Sequence, residues 1–196
     1  IGYSSGATLV YAVIVQAPPT TFAGAVSMGF CPDLWVTKPF CRGSGLEFTP
    51  GPKGKGVNFL PAPKLEAPWI VLQGDIDQVC DPKATAEYVA KVPAGKLIAL
   101  PKVGHGFAVQ RNWLPQFKQA FAELAVPKAA EGTTSPPPGE LKDLPLSELP
   151  PAGREKDTLV VFITGDGGYG VTDKGVCTGL AAQGYPVVVF NSLKYF

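Results

Sequence analysis

Three polar residues of the chain have the types and the order of a nucleophile, an acid and a base. Ser4 lies in the pentapeptide Gly2–Gly6, which fits the pattern G-x-S-x-G. Carboxylate candidates follow in the segment GDIDQVCD, and His105 is the single histidine of the 196-residue chain. A serine activated by a histidine, itself oriented by a carboxylate, can attack the carbonyl carbon of an ester. The sequence therefore predicts acyl-transfer chemistry.

The pentapeptide around Ser4 is expected to form a sharp turn between a strand and a helix. An aliphatic and small-residue run, Gly6–Gln16, follows it and predicts a buried helix. Glycines two residues before and after the serine permit the close packing that such a turn requires. The N–H of Ser5 would then point at a developing oxyanion, with the helix dipole behind it. The pattern alone is a weak signal, because glycine and serine are abundant in this chain.

Three acids compete to orient the histidine, and all follow the predicted strand Trp69–Gln73. Asp81 has a structural alternative as the N-cap of a helix that Pro82 opens. Asp75 has one as a turn residue that bonds local backbone. Asp77 has no such alternative, and we therefore assign the acid role to it.

His105 lies between two glycines in a loop after the predicted strand Lys96–Leu100. A lone histidine is usually structural, but the flanking glycines would let its ring approach partners closely. Serine, acid and histidine also occur in the order of an α/β-hydrolase, each at the C-terminal end of a strand. The three signals together predict a Ser4–Asp77–His105 triad.

The elements that must position these residues alternate between short apolar strands and amphipathic helices. The predicted strands are 23–28, 69–73, 96–100, 158–164 and 185–190, and the predicted helices are 6–16, 83–92, 113–124 and 173–183. This alternation predicts an α/β fold with a parallel sheet covered by helices on both faces. Residues 30–67 are irregular and too long for a connector, so we expect them to cover or line a site.

Residues 127–157 interrupt the pattern with seven prolines and no aromatic residue, which predicts a linker. We assign 1–126 to the C-terminal part of a first α/β-hydrolase domain, whose sheet would be incomplete. Residues 158–196 are assigned to the N-terminal β-α-β part of a second one. Because the chain opens on Ile1, without an initiator methionine, we expect a fragment of a longer protein.

The C-terminal segment has two alternative placements. The expectation is that it belongs to a separate, truncated domain. Alternatively, its strand–loop–helix–strand set replaces the one that the first domain lacks and docks against the vacant sheet edge. Docking would bring the turn Gly165–Gly168 to Ser4 as the second oxyanion donor.

Composition and charge exclude several classes of function. Apolar residues make up 45% and charged residues 17%, which is typical of globular domains. A net charge of +1 provides no basic field for nucleic acid. The apolar runs are far shorter than a bilayer span requires. No cluster has the spacing of metal ligands, so neither a metal nor a cofactor is expected.

The pairing of the cysteines would indicate whether the protein resides in an oxidising or a reducing compartment of the cell. Cys31 and Cys41 close a short loop and are a candidate disulfide of an oxidising compartment. Two buried thiols of a cytosolic enzyme are the alternative. Cys80 and Cys177 are far apart in sequence and indicate no pairing.

The stretch from Ser4 to His105 resembles α/β-hydrolases of the dienelactone-hydrolase and serine-esterase kind. More narrowly, nearly the whole chain resembles the AcvB/VirJ family of bacterial virulence proteins. The resemblance is carried by GYSSGATLVYA, LQGDIDQVCDP, KVGHGFAVQRNWLPQF and FITGDGGYGVTDKGV, and by the ending GYPVVVFNSLKYF. Its most specific parts are the GDGG turn and the NSLKYF ending. Longer members carry two such hydrolase domains in tandem.

The resemblance implies a periplasmic protein that hydrolyses aminoacyl esters, such as lysyl esters, of phosphatidylglycerol. It implies peripheral contact with a membrane, a link to virulence and type IV secretion, and secretion-system proteins as candidate partners. Ser4, Asp77 and His105 would take the triad roles. The oxyanion-side and substrate-binding positions would be Ser5, Gly165, Asp166, Gly167 and Gly168.

The sequence departs from the family pattern at both ends. The strand, loop, helix and strand expected before Ser4 are absent, and the second repeat lacks its own serine turn, acid and histidine. Two other readings therefore stay open. One is a non-catalytic, hydrolase-like binding module, and the other is a cytosolic carboxylesterase without a membrane link.

Overall fold

The computed structural model describes residues 1–36, 45–126, 141 and 143–196, without the side chain of Pro52. The seven strands of its main sheet are β1 Gly2–Tyr3, β2 Ala25–Met28, β6 Trp69–Gly74, β7 Gly95–Leu100, β8 Leu146–Leu149, β9 Val160–Ile163 and β10 Val187–Phe190. Their order across the sheet is β7-β6-β2-β1-β9-β10-β8. All neighbours pair in parallel except β8 and β10. The predicted α/β fold is confirmed.

Helices cover both faces of this sheet, as the strand–helix alternation predicts. They are α1 Ser5–Gln16, α2 Pro82–Val89, α3 Leu114–Leu124, α4 Val171–Ala181 and the short α5 Ser192–Tyr195, with 3₁₀ turns at Pro52–Gly54 and Gln110–Asn112. One apolar cluster packs α1 and α2 around Phe30 and Trp69. A second packs α3 and α4 against Met28, Leu72 and Phe162. In the part of the chain that the structure describes, no helix is long and apolar enough to cross a membrane.

The two segments on either side of the proline-rich region share the main sheet. Gly2 of β1 pairs in parallel with Ile163 of β9. The N–H of Ile163 also donates to the carbonyl of Ile1 at 2.8 Å. The docked placement of the C-terminal segment is therefore the one observed. The assignment of the two segments to tandem domains of a longer protein stays a prediction.

The second half of the predicted linker 127–157 contains a strand that its composition did not predict. Leu146–Leu149 forms β8, which pairs antiparallel with β10 at the edge of the sheet. Pro145 and Pro150 flank this strand, where the missing N–H groups of proline do not interrupt the pairing. Composition alone suggested a linker because the short apolar run lies between prolines. Residues 127–140 and 142 lie outside the described part of the chain.

The irregular region before Trp69 contains a small sheet that the sequence did not predict. Its antiparallel strands are β3 Asp33–Leu34, β4 Phe48–Pro50 and β5 Val57–Phe59, in the order β3-β5-β4. The strands are two or three residues long, which is too short for an alternating pattern to stand out. Phe59 is fully buried and packs in the cluster around α1.

Candidate active site

The structure brings the predicted serine, histidine and acid together at the C-terminal edge of the main sheet. Ser4 Oγ lies 2.9 Å from His105 Nε2. The other ring nitrogen, Nδ1, lies 2.9 Å from Asp77 Oδ2. The carboxylate is fully buried, whereas the ring is 17% exposed and so is open to a ligand. This is the connectivity of a nucleophile, a base and an orienting acid.

The serine sits on a strained turn between β1 and α1. Its backbone has φ 56° and ψ −129°, a conformation that residues other than glycine rarely adopt. A Cβ on Gly2 would overlap the carbonyl of Gly6, and one on Gly6 would overlap the carbonyl of Ile163. Both glycines of the pentapeptide are therefore required. Because Ile163 belongs to β9, the turn depends on the C-terminal segment.

The acid is held by the backbone of its own loop. Asp77 Oδ1 accepts hydrogen bonds from the N–H groups of Val79 at 2.8 Å and Cys80 at 2.9 Å. A carboxylate has only acceptors, so Nδ1 of His105 carries the proton that faces it. Nε2 is then free to accept the Ser4 hydroxyl proton, which is the tautomer that a general base needs.

Both competing acids have structural roles, although only Asp81 has the one that the sequence suggested. Asp81 caps α2, since its Oδ1 accepts from the N–H of Ala84 at 2.7 Å. Asp75 Oδ1 accepts from the N–H of Lys102 at 2.7 Å, so it bonds the neighbouring loop rather than its own turn. Neither carboxylate bonds His105.

The expectation that the glycines beside His105 make room for its ring is wrong. A Cβ on Gly106 would meet nothing within 4 Å, and one on Gly104 would make only an ordinary contact. The glycine that makes room for the ring is Gly29, at φ 65°, where a Cβ would lie 3.3 Å from the imidazole. Tyr3 also fixes the loop, because its hydroxyl donates to the carbonyl of His105 at 3.0 Å. Neither residue has a signal in sequence spacing.

The turn of Gly165, Asp166, Gly167 and Gly168 lies beside the serine. A Cβ on Gly165 would be 3.2 Å from the Cβ of Ser4. Asp166 donates its N–H to Ser5 Oγ at 2.6 Å, and the Ser5 hydroxyl donates to Asp166 Oδ1 at 3.2 Å. This reciprocal pair, which we call the Ser5–Asp166 clasp, ties the glycine turn to the start of α1.

Replacing Ser5 by alanine removes both bonds of the clasp while leaving the backbone N–H of residue 5 in place. We expect a loss of about 1 kcal/mol in the free energy of unfolding and, for the ester hydrolysis proposed below, a roughly tenfold lower kcat/KM. Chemical denaturation and steady-state kinetics measure the two effects. Thr178→Ala, which removes an exposed hydroxyl bonded within α4, is the matched control. Full activity in Ser5→Ala would show that the clasp does not position the turn.

The predicted Cys31–Cys41 disulfide is wrong. Cys31 is bonded to Cys80, with a Cα–Cα distance of 5.2 Å, and Cys41 lies outside the described residues. Sequence spacing favours the nearer partner, but β2 and β6 are neighbours in the sheet. The loops that follow them, which carry Cys31 and Cys80, therefore meet. Cys80 Sγ also lies near Asp77 and His105, but as a half-cystine it is not a thiolate ligand.

A buried carboxylate near the site makes stability depend on pH. Asp173 of α4 is 2% exposed, and its Oδ2 accepts from the N–H of Gly170 at 2.8 Å. Among the described residues its Oδ1 has no partner. Burial raises the pKa of Asp173 above its ordinary value. The native state therefore binds this proton more tightly than the unfolded chain, and stability is lost as pH rises from the ordinary pKa through the raised one.

Asp173→Asn keeps an acceptor for Gly170 and removes the charge. At neutral pH we expect the variant to have the higher free energy of unfolding. The difference should shrink as pH is lowered towards about 4, near the ordinary pKa of an aspartate, because the raised pKa lets the native carboxyl take up its proton before the unfolded one does. Urea unfolding at both pH values measures it. If Asp173→Asn were less stable than the wild type at neutral pH, the buried charge of Asp173 would not be what lowers stability there.

These elements define an α/β protein with a hydrolase-like sheet. Residues 157–196 match the family described as bacterial virulence protein (VirJ). The matched segment contains the glycine turn, α4 and β10, and it is consistent with a VirJ-family protein or a fragment of one. No curated protein and no solved structure matches the chain.

Proposed function

We propose that the chain is a serine hydrolase of ester bonds. The observation that carries this proposal is the hydrogen-bonded series from Ser4 through His105 to Asp77, with distances of 2.9 Å at both steps. The serine lies on a strained strand-to-helix turn, and such strain is typical of functional sites. A merely structural serine would need neither the strained backbone nor an imidazole nitrogen facing its hydroxyl.

The geometry supports a two-step acyl transfer. His105 Nε2 takes the proton of Ser4 as Oγ attacks the ester carbonyl, and Asp77 stabilises the imidazolium that forms. The tetrahedral intermediate collapses when Nε2 returns the proton to the leaving alcohol, which leaves an acyl ester on Ser4. Water then repeats the sequence with His105 as base. The N–H of Ser5, at the start of α1, is the proposed first donor to the oxyanion.

The proposed substrate is an aminoacyl, in particular lysyl, ester of phosphatidylglycerol in the bacterial envelope. Support comes from the resemblance to AcvB/VirJ proteins and from the family match over residues 157–196. The Cys31–Cys80 disulfide supports a periplasmic location, because such bonds persist in oxidising compartments. Peripheral membrane contact and an association with secretion-system proteins belong to the same proposal. The disulfide weighs against a cytosolic carboxylesterase.

The proposal is tested by offering the purified chain two classes of ester. Vesicles that contain lysyl-phosphatidylglycerol should release free lysine, and p-nitrophenyl esters should give a burst of p-nitrophenol followed by slower turnover. Both activities should disappear in Ser4→Ala. Turnover of the p-nitrophenyl ester without release of lysine would keep the hydrolase and reject the lipid substrate.

One observation favours a second candidate, a hydrolase-like binding module without catalysis. The N–H of Asp166, a candidate oxyanion donor in the glycine turn, is already bonded to Ser5 Oγ. A module that keeps this arrangement would bind ester-bearing vesicles without cleaving them. Vesicle sedimentation with unchanged lipid, for both the wild type and Ser4→Ala, would select this reading over the first.

A further inference from the structure

A polar side chain is buried directly behind the acid of the site. Gln73 is the penultimate residue of β6 and is 1% exposed. Its Nε2 donates to Asp77 Oδ2 at 3.0 Å and to the carbonyl of Cys80 at 3.0 Å. The side chain thus connects the strand to the acid in the loop that follows it.

Gln73 and His105 converge on the same oxygen. Asp77 Oδ2 accepts hydrogen bonds from Nδ1 of His105, at 2.9 Å, and from the amide of Gln73. The other oxygen, Oδ1, accepts the backbone N–H groups of Val79 and Cys80. With donors on both oxygens the plane of the carboxylate is fixed, and so is the direction from which it holds the imidazole.

The orientation of the amide follows from its partners. If the amide were reversed, Oε1 would face Asp77 Oδ2 and the Cys80 carbonyl, which are both acceptors. In the observed orientation Oε1 is buried and has no partner among the described residues. An unpaired buried oxygen destabilises the fold, and an apolar side chain of similar size would avoid that cost. The two donors of Gln73 therefore explain its presence better than packing does.

We propose that Gln73 is a positioning residue that fixes the Asp77 carboxylate and, through it, the imidazole of His105. Its effect on turnover rests on the proposed hydrolase function, whereas its effect on the ring does not. Gln73→Leu removes both donors at similar volume. Gln73→Glu supplies a carboxyl that, beside Asp77 and away from water, stays protonated near neutral pH and donates its O–H.

The ring can be followed directly, because His105 is the only histidine of the chain. In protein labelled with ¹⁵N-histidine, the Nδ1–H proton that bridges to Asp77 gives one NMR signal. Gln73→Leu should move this signal upfield and speed its exchange with water, and kcat should fall about tenfold with KM changed less than about twofold. Gln73→Glu should restore the Nδ1–H signal and kcat near neutral pH. Both should be lost as pH rises, because two ionised carboxylates repel each other. Gln183→Leu removes an exposed amide that lies just after α4 and donates to the Gly179 carbonyl, and it should change neither the Nδ1–H signal nor kcat.

A merely structural role predicts a different set of results. It would lower the melting temperature of Gln73→Leu and leave the Nδ1–H signal and kcat as in the wild type, and this result overturns the proposal. Should the wild type hydrolyse none of the esters while Gln73→Leu still alters the Nδ1–H signal, the positioning role stands and the proposed hydrolase fails. If the wild type hydrolyses esters and Gln73→Leu keeps the wild-type Nδ1–H signal, the positioning role is rejected and the proposed hydrolase function stands.

Discussion

Ser4→Ala should lower kcat for ester hydrolysis by at least about a thousandfold. The Oγ that faces His105 Nε2 at 2.9 Å is the atom that would carry the acyl group, and no side chain can replace it in the alanine variant. Alanine also removes only one oxygen from a partly exposed position, so the fold should persist. Steady-state kinetics with a p-nitrophenyl ester, together with a melting curve, measure both expectations.

The partners of the serine should give related losses. His105→Ala removes the base, and Asp77→Asn keeps the size of the acid but allows the wrong imidazole tautomer, so each should lower kcat by a comparable factor. Effects of residues that act as one unit are not additive, and the double variant Ser4→Ala/His105→Ala should be no slower than either single variant. Ser147→Ala, on exposed edge strand β8, is the matched control. Near-normal turnover in Ser4→Ala would remove the serine from the mechanism.

Breaking the Cys31–Cys80 disulfide should have the largest effect on stability. The bond closes a loop over a sequence separation of 49 residues, for which loop-closure entropy corresponds to about 4 kcal/mol. Activity should fall as well, because Cys80 donates its N–H to Asp77 Oδ1 and Cys31 lies two residues after Gly29, which contacts the imidazole. Cys31→Ser, Cys80→Ser and the double variant should lose similar amounts of stability.

The pairing itself is checked on the same samples. A digest without reductant should contain the peptides of Cys31 and Cys80 joined together. Cys41→Ser should leave the joined peptides intact, whereas with a Cys31–Cys41 bond it would be as harmful to stability as Cys31→Ser. Cys177 should resist alkylation in the folded protein, since it is buried and burial raises its pKa to about 12.

The convergence of Ser4, Asp77 and His105 could be predicted because the sequence distinguishes each of them from its competitors. Ser4 follows a strand and lies between two glycines of the pattern G-x-S-x-G. The position of Asp81 directly before Pro82 indicates that it caps a helix. This capping role helped leave Asp77 as the acid. His105 was unique in the chain. The prediction needed only the rule that the C-terminal ends of neighbouring parallel strands meet at one edge of the sheet.

The features that were missed depend on which strands are neighbours. Cys31 meets Cys80 because β2 and β6 are adjacent. Position 6 must be a glycine because β9 lies beside β1, and a side chain there would overlap the carbonyl of Ile163. Strand order is a property of the whole fold, and spacing along the chain does not encode it. Gln73 had a weak signal, since it is the one polar residue of the run WIVLQ, but its partner became visible only in the structure.

The central claim, that His105 activates Ser4 as a nucleophile, is tested most directly by a fluorophosphonate probe and mass spectrometry. Such a probe forms a covalent bond with an activated serine and leaves ordinary serines unmodified. The wild type should gain a single phosphonyl adduct that maps to the peptide containing Ser4, His105→Ala should react far more slowly, and Ser4→Ala should gain none. An unmodified wild type, or an adduct on another serine that persists in Ser4→Ala, would contradict the assignment of the site.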